Sequence, residues 1–166
     1  MADSFRTIFH DNRLLVSLEE EVALLKRYFD FLNVIDYRDL KLTCRIEDEI
    51  KMKSVPRLLL QPLIENCYMH SLTKAQTLVI HLIARKKNGC LQVFVVDNGN
   101  GIAPGKLTEL NEALQSGSKN IRSGASGLCN VNSRLVLRYG ERFRLRIFSK
   151  EGHGTAIQIL IPFDRK

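Results

Sequence analysis

Three short segments of the 166-residue chain hold residue types able to bind or move charged groups. In the first, Glu65, Asn66, Met69 and His70 stand at i, i+1, i+4 and i+5, so on a helix they share one edge. A carboxylate and an amide there can orient water and a magnesium ion, which takes oxygen ligands and leaves positions for substrate phosphates. The same residues also suit a helix edge that is only solvated. The second segment, Asp97-Asn98-Gly99-Asn100-Gly101-Ile102, ends an apolar run. An ionised Asp is purely an acceptor, which fits the exocyclic amine of adenine, and glycines let a base or backbone approach closely. Asp-Asn-Gly is equally ordinary turn chemistry. The third segment, Gly124-Ala125-Ser126-Gly127-Leu128-Cys129-Asn130, leads glycines into a helix start whose N–H groups can receive phosphate, or is simply a loop and a cap.

Other chemistries find little support. No G-x-x-x-x-G-K-[ST] occurs, and Gly99-x-Gly101 is followed by Ala103-Pro104 rather than a completed G-x-G-x-x-G. His10, His70, His81 and His153 lack metal-ligand spacing, and no serine sits on a nucleophile elbow. Cys44, Cys67, Cys90 and Cys129 are scattered with no C-x-x-C pair, which points to reduced, partly buried thiols in a cytoplasmic setting. The net charge of +7 would suit nucleic acid, but the basic residues are dispersed and no aromatic side chains interleave with them. Nucleic acid is therefore not the expected partner. No apolar run approaches the length of a membrane span, and Met1-Ala2-Asp3-Ser4 does not begin like a signal peptide.

The elements that must position these segments can be read from periodicity. Residues 1 to 16 show no sustained period and read as a leader. A helix follows, capped by Ser17 with Glu20 three residues on, and Glu19, Glu20 and Glu21 suit its positive end. Its apolar residues Leu18, Val22, Leu25, Phe29 and Leu32 have heptad spacing, which fits either a bundle seam or packing on the domain's own core. Residues 39 to 46 alternate like a half-buried strand. Ser54 and Pro56 predict a second helix start, running to about Ser71, with a kink or restart at Pro62. Residues 77 to 84 and 90 to 97 read as strands joined by a tight turn at Asn88-Gly89. Residues 98 to 126 read as a long glycine- and serine-rich loop, residues 127 to 139 as a helix closed by Gly140, and residues 142 to 149 and 155 to 162 as a last hairpin. Strands paired mostly with sequence neighbours predict an α+β two-layer sandwich, a mainly antiparallel mixed sheet with helices on one face.

Taken together and in order, "VPRLLLQPLIENCYMHS", "VFVVDNGNGI", "SGASGLCNVNSRLVLRYG" and "GHGTAIQILIPF" resemble the N box, G1 box, G2 box and terminal strand of the Bergerat-fold ATP-binding domain. This fold is shared by histidine kinases, type II topoisomerases, ninety-kilodalton heat-shock chaperones and mismatch-repair ATPases. "SLEEEVALLKRYFDF" ahead of "VPRLLLQPLIEN" is similar to the LytS/YesM-type sensor histidine kinases of bacteria, and the resemblance covers about residues 14 to 163.

The resemblance implies that ATP and Mg²⁺ are the cofactors. It implies that Asn66 ligates the metal, that Glu65 orients or activates the attacking group, and that Asp97 reads adenine N6 with support from Thr155. Gly99 and Gly101 would line the base pocket with Ile102 nearby, while Gly127, Leu128 and Asn130 would shape the phosphate end. His70, Lys119, Arg122 and Gly124 complete the implied nucleotide contacts, with residues 103 to 126 as an ATP lid. Residues 1 to 36 would be the end of a dimerisation region and residues 37 to 166 the catalytic domain. The family's phosphoacceptor histidine lies in a segment with no match here. The γ-phosphoryl would pass to that histidine in the parent kinase, and then to a response regulator. The intact protein would be a homodimer, cytoplasmic in this portion and tied to a membrane only through other segments. Three positions depart from the pattern: Met69 where lysine is usual, Ala125 at the first glycine of G-x-G-L, and Arg57 at a common second proline. A Bergerat-fold ATPase of another type and a degenerate nucleotide-binding module are the alternatives.

Overall fold

A computed structural model describes residues 13–35, 39–69, 77–116 and 126–163. The chain opens with a short strand, β1 (Leu15–Ser17), and then helix α1 (Leu18–Ile35). The capping box forms: the Ser17 N–H donates to Glu20 at 2.7 Å and the Glu20 N–H donates back to the Ser17 hydroxyl at 3.1 Å. Strand β2 (Leu40–Ile46) leads through a 3₁₀ turn to β3 (Ser54–Pro56), helix α2 (Gln61–Met69) and strands β4 (Leu78–Lys87) and β5 (Cys90–Asp97). Helices α3 (Pro104–Ser116) and α4 (Ser126–Tyr139) precede a second 3₁₀ turn and strands β6 (Arg146–Ser149) and β7 (Thr155–Pro162).

The main sheet has the order β2-β4-β5-β7-β6, parallel only between β2 and β4, so it is the expected mixed but mainly antiparallel sheet. Alternation then decides what each strand buries. Leu78, Ile80, Leu82 and Ala84 of β4, Leu91, Val93 and Val95 of β5, and Ile157, Ile159 and Ile161 of β7 face one side. There they meet Leu63, Ile64 and Cys67 of α2 and Leu128, Val131 and Leu135 of α4 in one continuous core. The heptad-spaced residues Leu18, Val22, Leu25, Phe29 and Leu32 of α1 are buried in the same core, so the seam packs on its own domain.

Four expectations are corrected. Ser54 and Pro56 belong to a strand, because β3 pairs antiparallel with β1, which also takes residues 15 and 16 out of the leader. Leu58 then adopts φ +55, a left-handed turn that no helix can include, and α2 starts only at Gln61. Pro62 is thus in the first turn, where its missing N–H costs nothing, and marks the restart rather than a kink. The stretch 98–126 is not an uninterrupted loop: α3 begins at Pro104 and buries Leu110 and Leu114. The last hairpin is shorter than expected, because residues 141–143 make a 3₁₀ turn and β6 starts at Arg146. The β4–β5 connection is the tight turn read from Asn88-Gly89, both residues having positive φ (+51 and +71).

Candidate functional site

The inner face of β5 runs Leu91, Val93, Val95, Asp97, so the same alternation that buries three apolar side chains carries a carboxylate into the edge of the core. Asp97 is only 7% exposed, and its register partner across β7 is Thr155, also 7% exposed. Two polar side chains therefore sit side by side under the helices, where an unpaired charge would be costly. The Asp97 carboxylate accepts the Gly99 N–H at 2.7 Å. It also receives the Cys67 thiol of α2, whose pKa is pushed well up by burial and then by the Asp97 charge, so the thiol stays protonated.

Hydrogen bonds fix this end of the sheet. The Ser149 hydroxyl accepts the Ile102 N–H at 2.8 Å and donates to the Gly154 carbonyl at 2.9 Å. Its one proton is thereby used, so Thr155 is the donor in the 2.9 Å contact between the two hydroxyls. Thr155 consequently keeps only lone pairs to offer, and with Asp97 makes a cluster of acceptors. Asn98 is turned away: its side chain accepts the Val79 N–H at 2.8 Å and donates to the Thr77 carbonyl at 3.1 Å, stitching the loop to β4.

Glycine is required at two positions. A Cβ on Gly101 (φ +66) would lie 2.1 Å from the Lys150 carbonyl oxygen, and one on Gly154 (φ +87) 2.0 Å from that of Asp97. Both hold the loop 98–103 against the β6–β7 hairpin, as does the Gly152 N–H donating to the Asn100 carbonyl at 2.7 Å.

Glu65 and Asn66 are half-buried on α2, immediately before Cys67. Glu65 accepts from Gln61 at 2.8 Å, and its charge, after burial, helps to push up the pKa of Tyr28 on α1. The N-terminus of α4 lies against the first turn of α2: a Cβ on Gly127 would stand 3.3 Å from Pro62 Cβ. Leu128 is buried beneath that contact and Asn130 is exposed.

The residues expected to act together thus fall into two groups joined by α2. Asp97, Gly99, Gly101, Ile102 and Thr155 share one sheet end, while Glu65, Asn66, Gly127, Leu128 and Asn130 lie on α2 and the start of α4. His70, Lys119, Arg122, Gly124 and Ala125 lie outside the described residues.

The donor set fits the implied groups. A buried acceptor pair matches an amine-bearing base, and one amide beside one carboxylate suits an ion that keeps waters and phosphate oxygens in its shell. Among the described residues no cluster of three or more His, Cys, Asp or Glu side chains could cage a metal by itself.

Four contributors escaped the sequence reading. Ser149 and Cys67 look like ordinary strand and helix residues, and only register and packing bring them to Asp97. Asn132 is 2% exposed, donates to the Leu114 carbonyl at 2.9 Å and accepts the Leu145 N–H at 3.0 Å, tying α3 to the approach to β6. Glu21, 2% exposed, accepts the N–H groups of Leu58, Leu59 and Leu60 at 2.6, 2.8 and 3.1 Å. A polar residue on an otherwise apolar helix face was the available signal for both.

The family model described as "Histidine kinase-, DNA gyrase B-, and HSP90-like ATPase" matches residues 53–165. The sensor histidine kinase YesM of Bacillus subtilis is 34% identical over 158 residues, which is 95% of this chain and 26% of that protein. The sensor protein kinase HptS of Staphylococcus aureus is 29% identical over 166 residues, 99% of this chain and 31% of that protein. The chain therefore spans less than a third of the length of these relatives.

Among solved structures, the catalytic domain of histidine kinase ThkA has the same fold (TM-score 0.67, 13% identity, 92% of this chain and 97% of that one). So does the histidine kinase domain of the Erythrobacter litoralis EL346 blue-light activated histidine kinase (TM-score 0.58, 24% identity, 89% of this chain and 62% of that one). No helix among the described residues is long and apolar enough to cross a membrane. With a family model matched over more than half its length, the chain belongs to the histidine kinase-, DNA gyrase B- and HSP90-like ATPases.

Proposed function

We propose that this chain is the ATP-binding catalytic portion of a bacterial sensor histidine kinase, binding ATP with Mg²⁺ and delivering the γ-phosphoryl to a histidine outside these residues. The observation that carries the reading is the buried Asp97–Thr155 acceptor pair at the end of the sheet. In this reading the Asp97 carboxylate accepts the adenine amine, held in place by the Gly99 N–H and the Cys67 thiol. Thr155 adds a second acceptor, and Gly99, Gly101 and Ile102 form the wall of the base pocket.

Asn66 holds Mg²⁺ through its amide oxygen, and Glu65 orients the attacking imidazole. Gly127, Leu128 and Asn130 shape the phosphate end at the start of α4, where free N–H groups favour anions. Residues 103–126 act as the lid, with His70, Lys119, Arg122 and Gly124 as further nucleotide contacts. Bound Mg²⁺ supplies charge neutralisation at the phosphates, and the protein's part is mainly position and electrostatics.

The relatives' names support a two-component role, in which the phosphorylated histidine belongs to a dimeric parent kinase and passes its phosphoryl group to a response regulator. In that parent this portion is cytoplasmic, and residues 1–36 are the end of the dimerisation region.

Incubating the chain with labelled Mg-ATP and a separately supplied dimerisation segment carrying the family's histidine tests the reading. Label on the segment's histidine, lost with Asn66→Ala, is expected. Nucleotide binding with no transfer would instead leave a non-catalytic module.

A further inference from the structure

The turn at residues 57–60, between β3 and α2, is gripped by side chains from two other elements. Leu58 occupies the left-handed region at φ +55, which is unfavourable for any residue with a Cβ. On one side the N–H groups of Leu58, Leu59 and Leu60 all donate to the Glu21 carboxylate of α1. On the other, the Arg134 guanidinium of α4 donates to the carbonyls of Arg57 and, at 3.4 Å, Leu58. Glu21 is 2% exposed, an expensive place for a carboxylate unless its oxygens are well satisfied. An apolar residue would fill the same space at lower cost but would leave three N–H groups, those of Leu59 and Leu60 buried, without acceptors.

We propose that Glu21 and Arg134 are positioning residues for the phosphate end of the site, clamping the turn 57–60 from two sides and so fixing where α2 presents Glu65 and Asn66. This rests on the proposed role of Asn66. Helix α2 follows directly from the clamped turn, and the start of α4 abuts its Pro62, so a loosened turn lets both phosphate-end elements shift. Asp97, Gly99, Ser149 and Thr155 belong to the sheet end, whose hydrogen bonds do not involve the turn; of the groups that hold Asp97, the Cys67 thiol alone comes from α2. Misplacement of about an ångström is enough to impair a metal-assisted site, so the clamp acts first on Mg-dependent binding and disturbs the base end less, where the Gly99 N–H and the Ser149–Thr155 pair stay in place.

The test titrates the 166-residue chain with ATP plus Mg²⁺ and with ADP in a chelator, as wild type, Glu21→Gln and Arg134→Gln. Glutamine keeps the shape of Glu21 but turns an NH₂ toward donors, so at least one turn N–H loses its acceptor. Mg-ATP affinity is expected to fall about tenfold, as when the support of a metal ligand is removed, with ADP affinity in the chelator within about twofold. Equal losses for both ligands, or none for either, would overturn the proposal.

A second readout needs no nucleotide: amide hydrogen exchange of Leu58, Leu59 and Leu60 is expected to be slow in the wild type and fast in Glu21→Gln. Fast exchange already in the wild type would also overturn it. If Glu21→Gln does not fold, Arg134→Gln and wild-type exchange decide. Failure of the wild type to bind any nucleotide would refute the proposed function, while exchange at the turn would still judge the clamp.

Discussion

Asp97 combines a charge with burial, and its neighbours show how that is sustained. Gly99 donates from the loop, Cys67 donates from α2, and Thr155 lies across the strand pair with its proton committed to Ser149. Ser149 is the least replaceable of these neighbours in physical terms, since it satisfies the Ile102 N–H and the Gly154 carbonyl together. Ser149→Ala is expected to cost about 1–2 kcal/mol, the usual cost of stranding buried polar groups, read as a lower melting temperature. No change in melting would mean that water replaces the hydroxyl.

Asp97 was legible in the sequence as the carboxylate that ends an apolar run, and the resemblance of "VFVVDNGNGI" to the G1 box set it apart from ordinary turn chemistry. Glu21 was not. In sequence it is one of three acidic residues in the first turn of a helix; its place three residues after Leu18 and four before Leu25 sets it by the apolar face, but only the path of the turn 57–60 gives it a role.

At the scale of elements, the hairpin β4–β5 and helices α1 and α4 were legible because each is marked by local chemistry: Asn88-Gly89, the Ser17–Glu20 box, and Gly140 at φ +95. The segment before α2 misled for the opposite reason. A Ser-x-Pro pattern marks a helix start and fits an edge strand equally well, and the deciding partner, β1, lies far away in sequence. Helix α3 was concealed by the glycines and serines around it, although Leu107, Leu110 and Leu114 have helical spacing.

The loop 98–103 and the β6–β7 hairpin depend on each other through Gly154, so Gly154→Ala is a sharp test at this scale. With φ +87 and a Cβ that would meet backbone, the substitution is expected to cost about 2 kcal/mol or more and to weaken ATP binding by displacing Asp97. A fully stable, fully binding variant would show that the approach of these backbones is not needed.

Across the whole molecule, α1 packs with the rest of the chain, its apolar seam in the common core and its Glu21 reaching the start of α2. The bundle seam and the core face have the same spacing in sequence, so the choice between them depended on tertiary contacts alone. Burial raises the Glu21 pKa above its ordinary 4.5, partly opposed by three backbone N–H groups and by the charge of Arg134. The folded state therefore binds this proton more tightly than the unfolded state. The stability it contributes is fully present below pH 4.5 and is lost as pH rises through the higher folded value. The melting temperature of the wild type relative to Glu21→Gln is expected to fall over that window. A difference that is flat or rising with pH would contradict the assignment.

The central claim is that a buried carboxylate at the end of β5 recognises the adenine of a magnesium-bound nucleotide. Calorimetric titration with ATP, with and without Mg²⁺, on the wild type and Asp97→Asn tests it most directly. Saturable binding that strengthens with Mg²⁺ and weakens at least tenfold in Asp97→Asn, the effect of losing a charged acceptor for a donor, is expected. Equal binding by the two proteins, or none by a folded wild type, would contradict it.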